Sequence, residues 1–255
     1  MAPHREDAPR PRLANARALL RDILATAGFV IAVFTLLQLA IPRSLVLGTS
    51  MQPNFYEGQR LVISRVNYLF GEPQRGDIIV FNTPEEGRRS TAVIKRVIGM
   101  PGDRVQMRDG TLYLNDTAVP QEPAGDFAEV YERQGSAGQF PRCANAPVGQ
   151  GGTCLKSRYM ETLPGGRSYP VLNIEDGGFG DNTPAFTVPE GHFFFIGDNR
   201  DNSVDSRVPQ NAGGVGMVPF DHLIGRANRV MFSSAGSSML HFWTWRSDRF
   251  FHRLQ

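Results

Sequence analysis

The chain has 255 residues, 41% of them hydrophobic and 20% charged, and a net charge of +2. This is ordinary globular composition, and the near-neutral balance excludes the general basic footprint of a nucleic-acid-binding protein. Five histidines, at 4, 192, 222, 241 and 252, are scattered, and the two cysteines form no C-x-x-C pair, so a zinc site has no ligand set to build from.

The first predicted element is a membrane span. Residues 23–42 read I-L-A-T-A-G-F-V-I-A-V-F-T-L-L-Q-L-A-I-P, with Gln38 the one strongly polar side chain. Twenty residues at helical rise cover about 30 Å, the thickness of a bilayer core. Arg5, Arg10, Arg12, Arg17 and Arg21 precede the run. The positive-inside rule then keeps residues 1–22 in the cytoplasm and sends residues 43–255 across. A cleavable secretion signal is the alternative. Its apolar region is usually shorter, roughly 7–15 residues, and an A-x-A cleavage pattern comes after it; here the exit reads Q-L-A-I-P-R-S. A permanent anchor is the expectation.

The exported part reads as mainly β. The runs R-L-V-I-S-R-V (60–66), D-I-I-V-F (77–81) and T-A-V-I-K-R-V-I (91–98) are β-branched and bounded by Gly, Pro and Asn. R-V-Q-M-R-D-G-T-L-Y-L-N (104–115) alternates on both sides of Asp109-Gly110, a two-residue hairpin signal. H-F-F-F-I (192–196) and L-I-G-R-A-N-R-V-M-F (223–232) complete the set. Residues 121–187 are rich in Pro, Gly and polar side chains and predict a less regular, smaller inserted lobe. Cys143 and Cys154 bracket a short loop there, and in an oxidising compartment two such cysteines are expected to pair. The tail, 237–255, interleaves Trp243, Phe250 and Phe251 with Arg246, Arg249 and Arg253 near helical spacing. It suits either a membrane interface or packing on its own domain.

Of 27 basic residues, only Lys95 and Lys156 are lysine. Where only a positive charge is wanted, this chain writes arginine, which stays protonated in proteins; a buried lysine can lose its proton. Strand alternation puts Thr91, Val93, Lys95 and Val97 on one face and Arg96 on the other. A desolvated amine between two valines is lowered in pKa and becomes a competent general base. The competing reading is a lysine that snorkels to solvent at a strand end.

A base needs a proton to take. L-V-L-G-T-S-M-Q-P-N (45–54) sets Ser50 between Gly48 and Pro53, residues that specify a sharp backbone. It lacks the G-x-S-x-G pattern, and no histidine is placed to serve it. A Ser-Lys pair is a recognised nucleophile–base constellation. F-I-G-D-N-R-D-N-S-V-D-S-R (195–207) packs carboxylates, hydroxyls and arginines directly after a buried strand, as binding and catalytic loops often do.

Taken in order, G-T-S-M-Q-P, G-D-I-I-V-F, V-I-K-R-V-I-G-M-P-G-D and G-D-N-R-D-N-S-V-D-S-R resemble the bacterial type I signal peptidase family, over most of residues 45–115 and 190–232. The resemblance implies a signal-peptidase-like β-sheet catalytic domain (43–120 and 188–236) with the inserted lobe, behind one anchor helix. It implies Ser50 as nucleophile and Lys95 as general base. Ser203 would orient the lysine amine, Asp205 and Arg207 would form an ion pair by the site, and Arg96 and Asp198 another supporting the lysine strand. The Ser50 amide would be an oxyanion donor. Gly48 stands where some members carry a second oxyanion hydroxyl, so the second donor is left open.

The implied activity is removal of signal peptides from exported preproteins, after small residues in an Ala-x-Ala pattern, with no metal or cofactor. Partners would be secretory preproteins and membrane lipids, not nucleic acid, and the protein would act as a monomer. Its place would be the bacterial cytoplasmic (inner) membrane, with the catalytic domain on the periplasmic side. Ser50 lies eight residues past Pro42, a reach of at most about 27 Å, so the nucleophile is expected close to the membrane surface. Phe55, Tyr56, Leu69 and Phe70 are candidates for seating that surface in lipid, against ordinary core packing. A maturation peptidase for conjugation or pilus proteins, and a non-catalytic periplasmic binding domain, are the rival readings. A self-cleaving repressor is disfavoured, because residues 1–42 form an anchor rather than a DNA-binding domain.

Overall fold

The computed structural model describes residues 12–40, 43–64, 68, 71–83, 91–134, 138–233 and 245. Two units divide the chain, residues 1–42 and residues 43–255.

The first unit is one helix, α1, Arg12–Ala40. It begins well before the apolar run because residues 12–22 are rich in Ala, Leu and Arg, all strong helix formers. It runs to Ala40, and Pro42 follows in the sequence, a residue type that disfavours helical backbone in the residue ahead of it. Its apolar window, Ala18–Thr35, has a mean hydropathy of 1.8, and every side chain in it is exposed. The helix is long and apolar enough to cross a membrane.

Among the described residues the second unit is mainly β, with three short 3-10 turns. In chain order the strands among the described residues are β1 (Arg43–Leu45), β2 (Gln59–Ser64), β3 (Ile78–Asn82), β4 (Ala92–Gly99), β5 (Arg104–Arg108), β6 (Thr111–Leu114), β7 (Thr117–Ala118), β8 (Gln121–Val130), β9 (Thr153–Thr162), β10 (Ser168–Asn173), β11 (Phe186–Thr187), β12 (His192–Ile196), β13 (Val218–Pro219) and β14 (Leu223–Ser233). They form a seven-stranded sheet in the order β1-β2-β14-β3-β4-β12-β13, a three-stranded sheet β10-β9-β8 and a four-stranded sheet β11-β5-β6-β7. The expected hairpin turns at Asp109-Gly110, with φ of 46° and 73°; two successive left-handed residues are what a tight two-residue hairpin needs.

Residues 121–187 are more regular than their composition suggests. β8 and β9 are ten residues each and pair along most of their length. The apolar alternation that betrays a strand is missing from β8 because most of its side chains are exposed, and much of its shape comes from pairing with β9. Cys143 and Cys154 are joined as a disulfide, with Cα atoms 5.1 Å apart. β10 also enters the central core, where Tyr169 and Val171 pack with Val105, Met107 and Leu112 of the hairpin and Phe194 of β12. Phe55 is fully buried and therefore core, not a lipid contact, while Leu69, Phe70 and the tail except Trp245 lie outside the described residues.

A second core face runs along β3, β4 and β12, where Phe81 and Phe195 stack at 4.3 Å between centroids beside Ile79, Val93 and Val97. This is the face of β4 that carries Lys95. Phe195→Ala removes a fully buried ring from it and should destabilise the full chain by about 3–5 kcal/mol, read from the urea midpoint in detergent.

Candidate active site

Ser50 stands on a tight turn. Gly48 opens it at φ +81°, a conformation glycine adopts without strain. The Gln52 amide donates to Thr49 O at 3.1 Å and the Phe55 amide to Met51 O at 2.8 Å. Met51 and Phe55 are buried among Val46, Leu61 and Ile63, which anchors the turn in the core and leaves Ser50 half-buried at its surface.

β4 delivers Lys95 to this turn. The lysine is 5% exposed, and its Nζ lies 2.5 Å from Ser50 Oγ, in hydrogen bond. Burial lowers its pKa from 10.5 to about 8; Asp205 and Asp198 pull it back up, and Arg207 pushes it further down. An amine so placed is partly neutral near pH 8 and touches the one hydroxyl it would need to deprotonate.

The next residue, Arg96, points to the opposite face and is fully buried. It holds Asp198 in a two-pronged pair, Nε to Oδ1 at 2.8 Å and Nη2 to Oδ2 at 2.9 Å. Its Nη1 donates to Gly76 O at 2.9 Å, and its guanidinium lies 3.8 Å above the Tyr169 ring. With every side of the cation satisfied, the strand is pinned one residue beyond the lysine.

The loop after β12 closes on the serine turn. The Asn199 amide donates to Ser50 O at 3.0 Å, the Asn199 side chain to Thr49 O at 3.1 Å, and the Asn202 side chain to Thr49 Oγ1 at 2.6 Å. Asp198 also accepts from Asn54 Nδ2 at 2.7 Å. Further along, Asp205 and Arg207 form a second buried two-pronged pair, both contacts at 2.9 Å. Asp205 accepts from the Gly197 amide at 3.0 Å as well. Burial alone would raise the Asp205 carboxyl, but the charge and hydrogen bonds of Arg207 and the Gly197 amide bring it below its ordinary value.

Ser203 and Gly48 stand at the edge of this network. The buried hydroxyl of Ser203 makes no hydrogen bond of full geometry, to Lys95 or to any other described group. It lies across Gly197 from the serine turn: a β-carbon on Gly197 would come within 2.2 Å of Ser203 Oγ and 2.7 Å of Ser50 O. Only glycine fits there. Gly48 is exposed, with nothing within 4 Å of where a β-carbon would stand, and it offers no side-chain donor.

Asn54, Gln52, Asn199 and Asn202 are site-building residues that composition and periodicity do not mark, since a turn amide looks alike whether or not it clamps a neighbour. Lys156 does carry a signal, the scarcity that singled out Lys95, and it proves to be fully buried, with its Nζ donating to Gln52 Oε1 at 2.8 Å. Among the described residues, no cluster of three or more His, Cys, Asp or Glu is grouped to hold a metal.

Similarity to known proteins points the same way as this geometry. A family model described as signal peptidase, peptidase S26, matches residues 19–232. A "Signal peptidase I" of Rickettsia bellii (strain OSU 85-389) is 33% identical over 228 residues, covering 85% of this chain and 69% of that protein. One from Rickettsia typhi is 37% identical over 169 residues, covering 64% of this chain and 53% of its relative, so there the match spans about half the relative's length. A crystal structure of a signal peptidase I from Enterococcus faecalis is 29% identical and matches 61% of this chain and 96% of its own, at a TM-score of 0.32, too low to compare the folds. The chain belongs to the signal peptidase family, peptidase S26.

The lysine burial has a stability consequence with a definite sign. The folded-state pKa, about 8, is below the ordinary value of 10.5, so folding disfavours the ammonium. The resulting cost, about 3–4 kcal/mol at 1.4 kcal/mol per pKa unit, is fully present below pH 8 and vanishes as pH rises past about 10.5. Lys95→Met should therefore gain most over wild type at pH 6–7 and lose that advantage toward pH 10. Urea unfolding of both chains across that range checks it; a difference independent of pH would mean the amine is not desolvated.

Proposed function

We propose that this chain is a membrane-anchored serine endopeptidase that removes N-terminal signal peptides from exported preproteins, cutting after small residues in an Ala-x-Ala pattern. The observation that carries the reading is the contact of Ser50 Oγ with a buried lysine amine at 2.5 Å. Family membership supports the substrate class.

In this mechanism, neutral Lys95 takes the proton from Ser50 as Oγ attacks the carbonyl carbon of the scissile bond. The developing oxyanion is met by the Ser50 backbone amide; one such donor is worth about 3–4 kcal/mol in comparable sites. Lys95, now an ammonium, gives its proton to the leaving amine, and the mature protein departs. The acyl group stays on Ser50. Lys95 then takes a proton from water, hydroxide attacks the ester carbonyl, and the proton returns to Ser50 as the signal peptide leaves. The amine works in both directions because its pKa near 8 lies close to working pH. Arg96–Asp198 and Asp205–Arg207 hold the lysine strand and the loop beside it, and Ser203 contributes a hydroxyl close to the reacting atoms.

The apolar helix Ala18–Thr35 is the anchor in this reading, with the arginine-rich N-terminus in the cytoplasm and the β unit on the periplasmic side of the inner membrane. The short connection to Ser50 would bring a substrate whose own apolar segment lies in the bilayer to the site.

The test is cleavage of a preprotein by the detergent-solubilised full chain, wild type beside Lys95→Arg and Ser50→Ala. Wild type should cut after the Ala-x-Ala site, and both variants should lose about 100- to 10,000-fold. Because the base must be neutral, the wild-type rate should rise with pH through a midpoint near 8. Equal cutting by Lys95→Arg would remove the lysine from the mechanism. Absence of cutting by wild type would favour a binding domain.

A further inference from the structure

The second lysine is as deeply placed as the first. Lys156 on β9 is fully buried, and its Nζ lies 2.5 Å from Glu129 Oε1 on β8 and 2.8 Å from Gln52 Oε1. Glu129 Oε2 accepts from Gln52 Nε2 at 3.1 Å and from Gln134 Nε2 at 3.0 Å. The Gln52 amide is thus held at both ends by one buried ion pair, and Asn199 Nδ2 reaches the same Oε1 at 3.4 Å. Gln52 is 1% exposed and stands two residues after Ser50.

This ion pair belongs to the segment 121–187, and the segment grips the serine turn at two further points. Phe127 packs on Tyr56 with ring centroids 6.1 Å apart, and Pro170 O accepts from Asn54 Nδ2 at 3.1 Å. The Cys143–Cys154 disulfide ties β9 two residues before Lys156.

A buried ion pair is a poor device for stability, because desolvating two charges cancels most of their attraction, and well-packed apolar side chains often do as well. What the pair supplies is direction. A side-chain amide has one donor end and one acceptor end, and an ammonium and a carboxylate side by side bind both in one orientation only. We propose that Lys156, with Glu129, is a positioning residue for Ser50: the pair fixes Gln52 and thereby holds the serine turn in the register at which Oγ meets Lys95. An error of about 1 Å in such a contact costs on the order of 100-fold in rate. The proposal rests on the Ser50–Lys95 mechanism for its kinetic form.

The experiment uses the full chain in detergent, with Lys156→Met alone and Lys156→Met together with Glu129→Met. The second variant removes both charges and leaves no lone carboxylate in the core. For each, kcat and KM on a preprotein, the pH profile, Tm, and hydrogen exchange of the amides of Gln52, Phe55 and Asn199 are measured. The double variant should keep its Tm within a few degrees of wild type. Its kcat should fall at least tenfold with KM changed less than twofold, and its pH midpoint should stay near 8, because the base itself is untouched. The three amides should exchange at least tenfold faster. A kcat within twofold of wild type, a loss that follows Tm from variant to variant, or unaltered exchange in the turn would overturn the proposal. If wild type itself does not cut, the peptidase reading fails separately, and amide exchange alone decides whether the pair holds the turn.

Discussion

An amine gives up its proton more readily where water is kept from it, and the surroundings of Lys95 leave it 5% exposed. The lysine rises from a sheet face lined by valines and stacked phenylalanines, and its tip ends on a serine hydroxyl rather than on solvent. Desolvation lowers its pKa, while two buried aspartates in the neighbourhood oppose the shift. Left bare, those carboxylates would hold the proton on the amine. Each is instead paired with an arginine of its own, Asp198 with Arg96 and Asp205 with Arg207, so most of their field is cancelled at short range.

The same two ion pairs solve a mechanical problem. Ser50 and Lys95 come from segments 45 residues apart, and a 2.5 Å contact between them tolerates little slack. Arg96 is adjacent to Lys95 in the strand, so its fork on Asp198 locates the strand against the loop after β12. That loop in turn bonds to the carbonyls of Thr49 and Ser50 through Asn199. Register is passed from lysine strand to loop to serine turn by hydrogen bonds that each have one good geometry. Gly197 lets the three approach, since any side chain there would occupy the space of Ser203 and of the Ser50 carbonyl.

The segment 121–187 enters this scheme from the other side. It looks like an addition in sequence, yet Tyr169 stacks on Arg96, and Glu161 accepts from both Tyr169 and Arg200. Lys156 and Glu129 reach the residue two beyond Ser50. The serine turn is therefore gripped between two layers, the loop after β12 and the sheet β10-β9-β8, and the site depends on parts of the chain that carry no motif.

Much of this is legible in the residues, and the reasons differ by position. The strands around 60–64, 78–82, 92–99 and 192–196 show in β-branched and aromatic runs because they are buried, and the hairpin at Asp109-Gly110 shows because few residues tolerate two left-handed conformations in succession. Rarity among arginines is enough to set Lys95 apart, and the spacing of the boxes around Ser50 and Asp198 indicates the family. Residue order does not reveal β8, whose side chains are mostly exposed and whose shape comes from its partner strand. Lys156 bears the same mark of rarity as Lys95, but without a reason for it. That Phe55 is core, that the hydroxyl of Ser203 stands beside Gly197 rather than on the lysine, and that Lys156 closes on Gln52 emerge only once the sheets are assembled. Local preferences are written in neighbouring residues, whereas the choice of partner for a buried polar group depends on which strands fold over it, and that is fixed by the sheets as a whole.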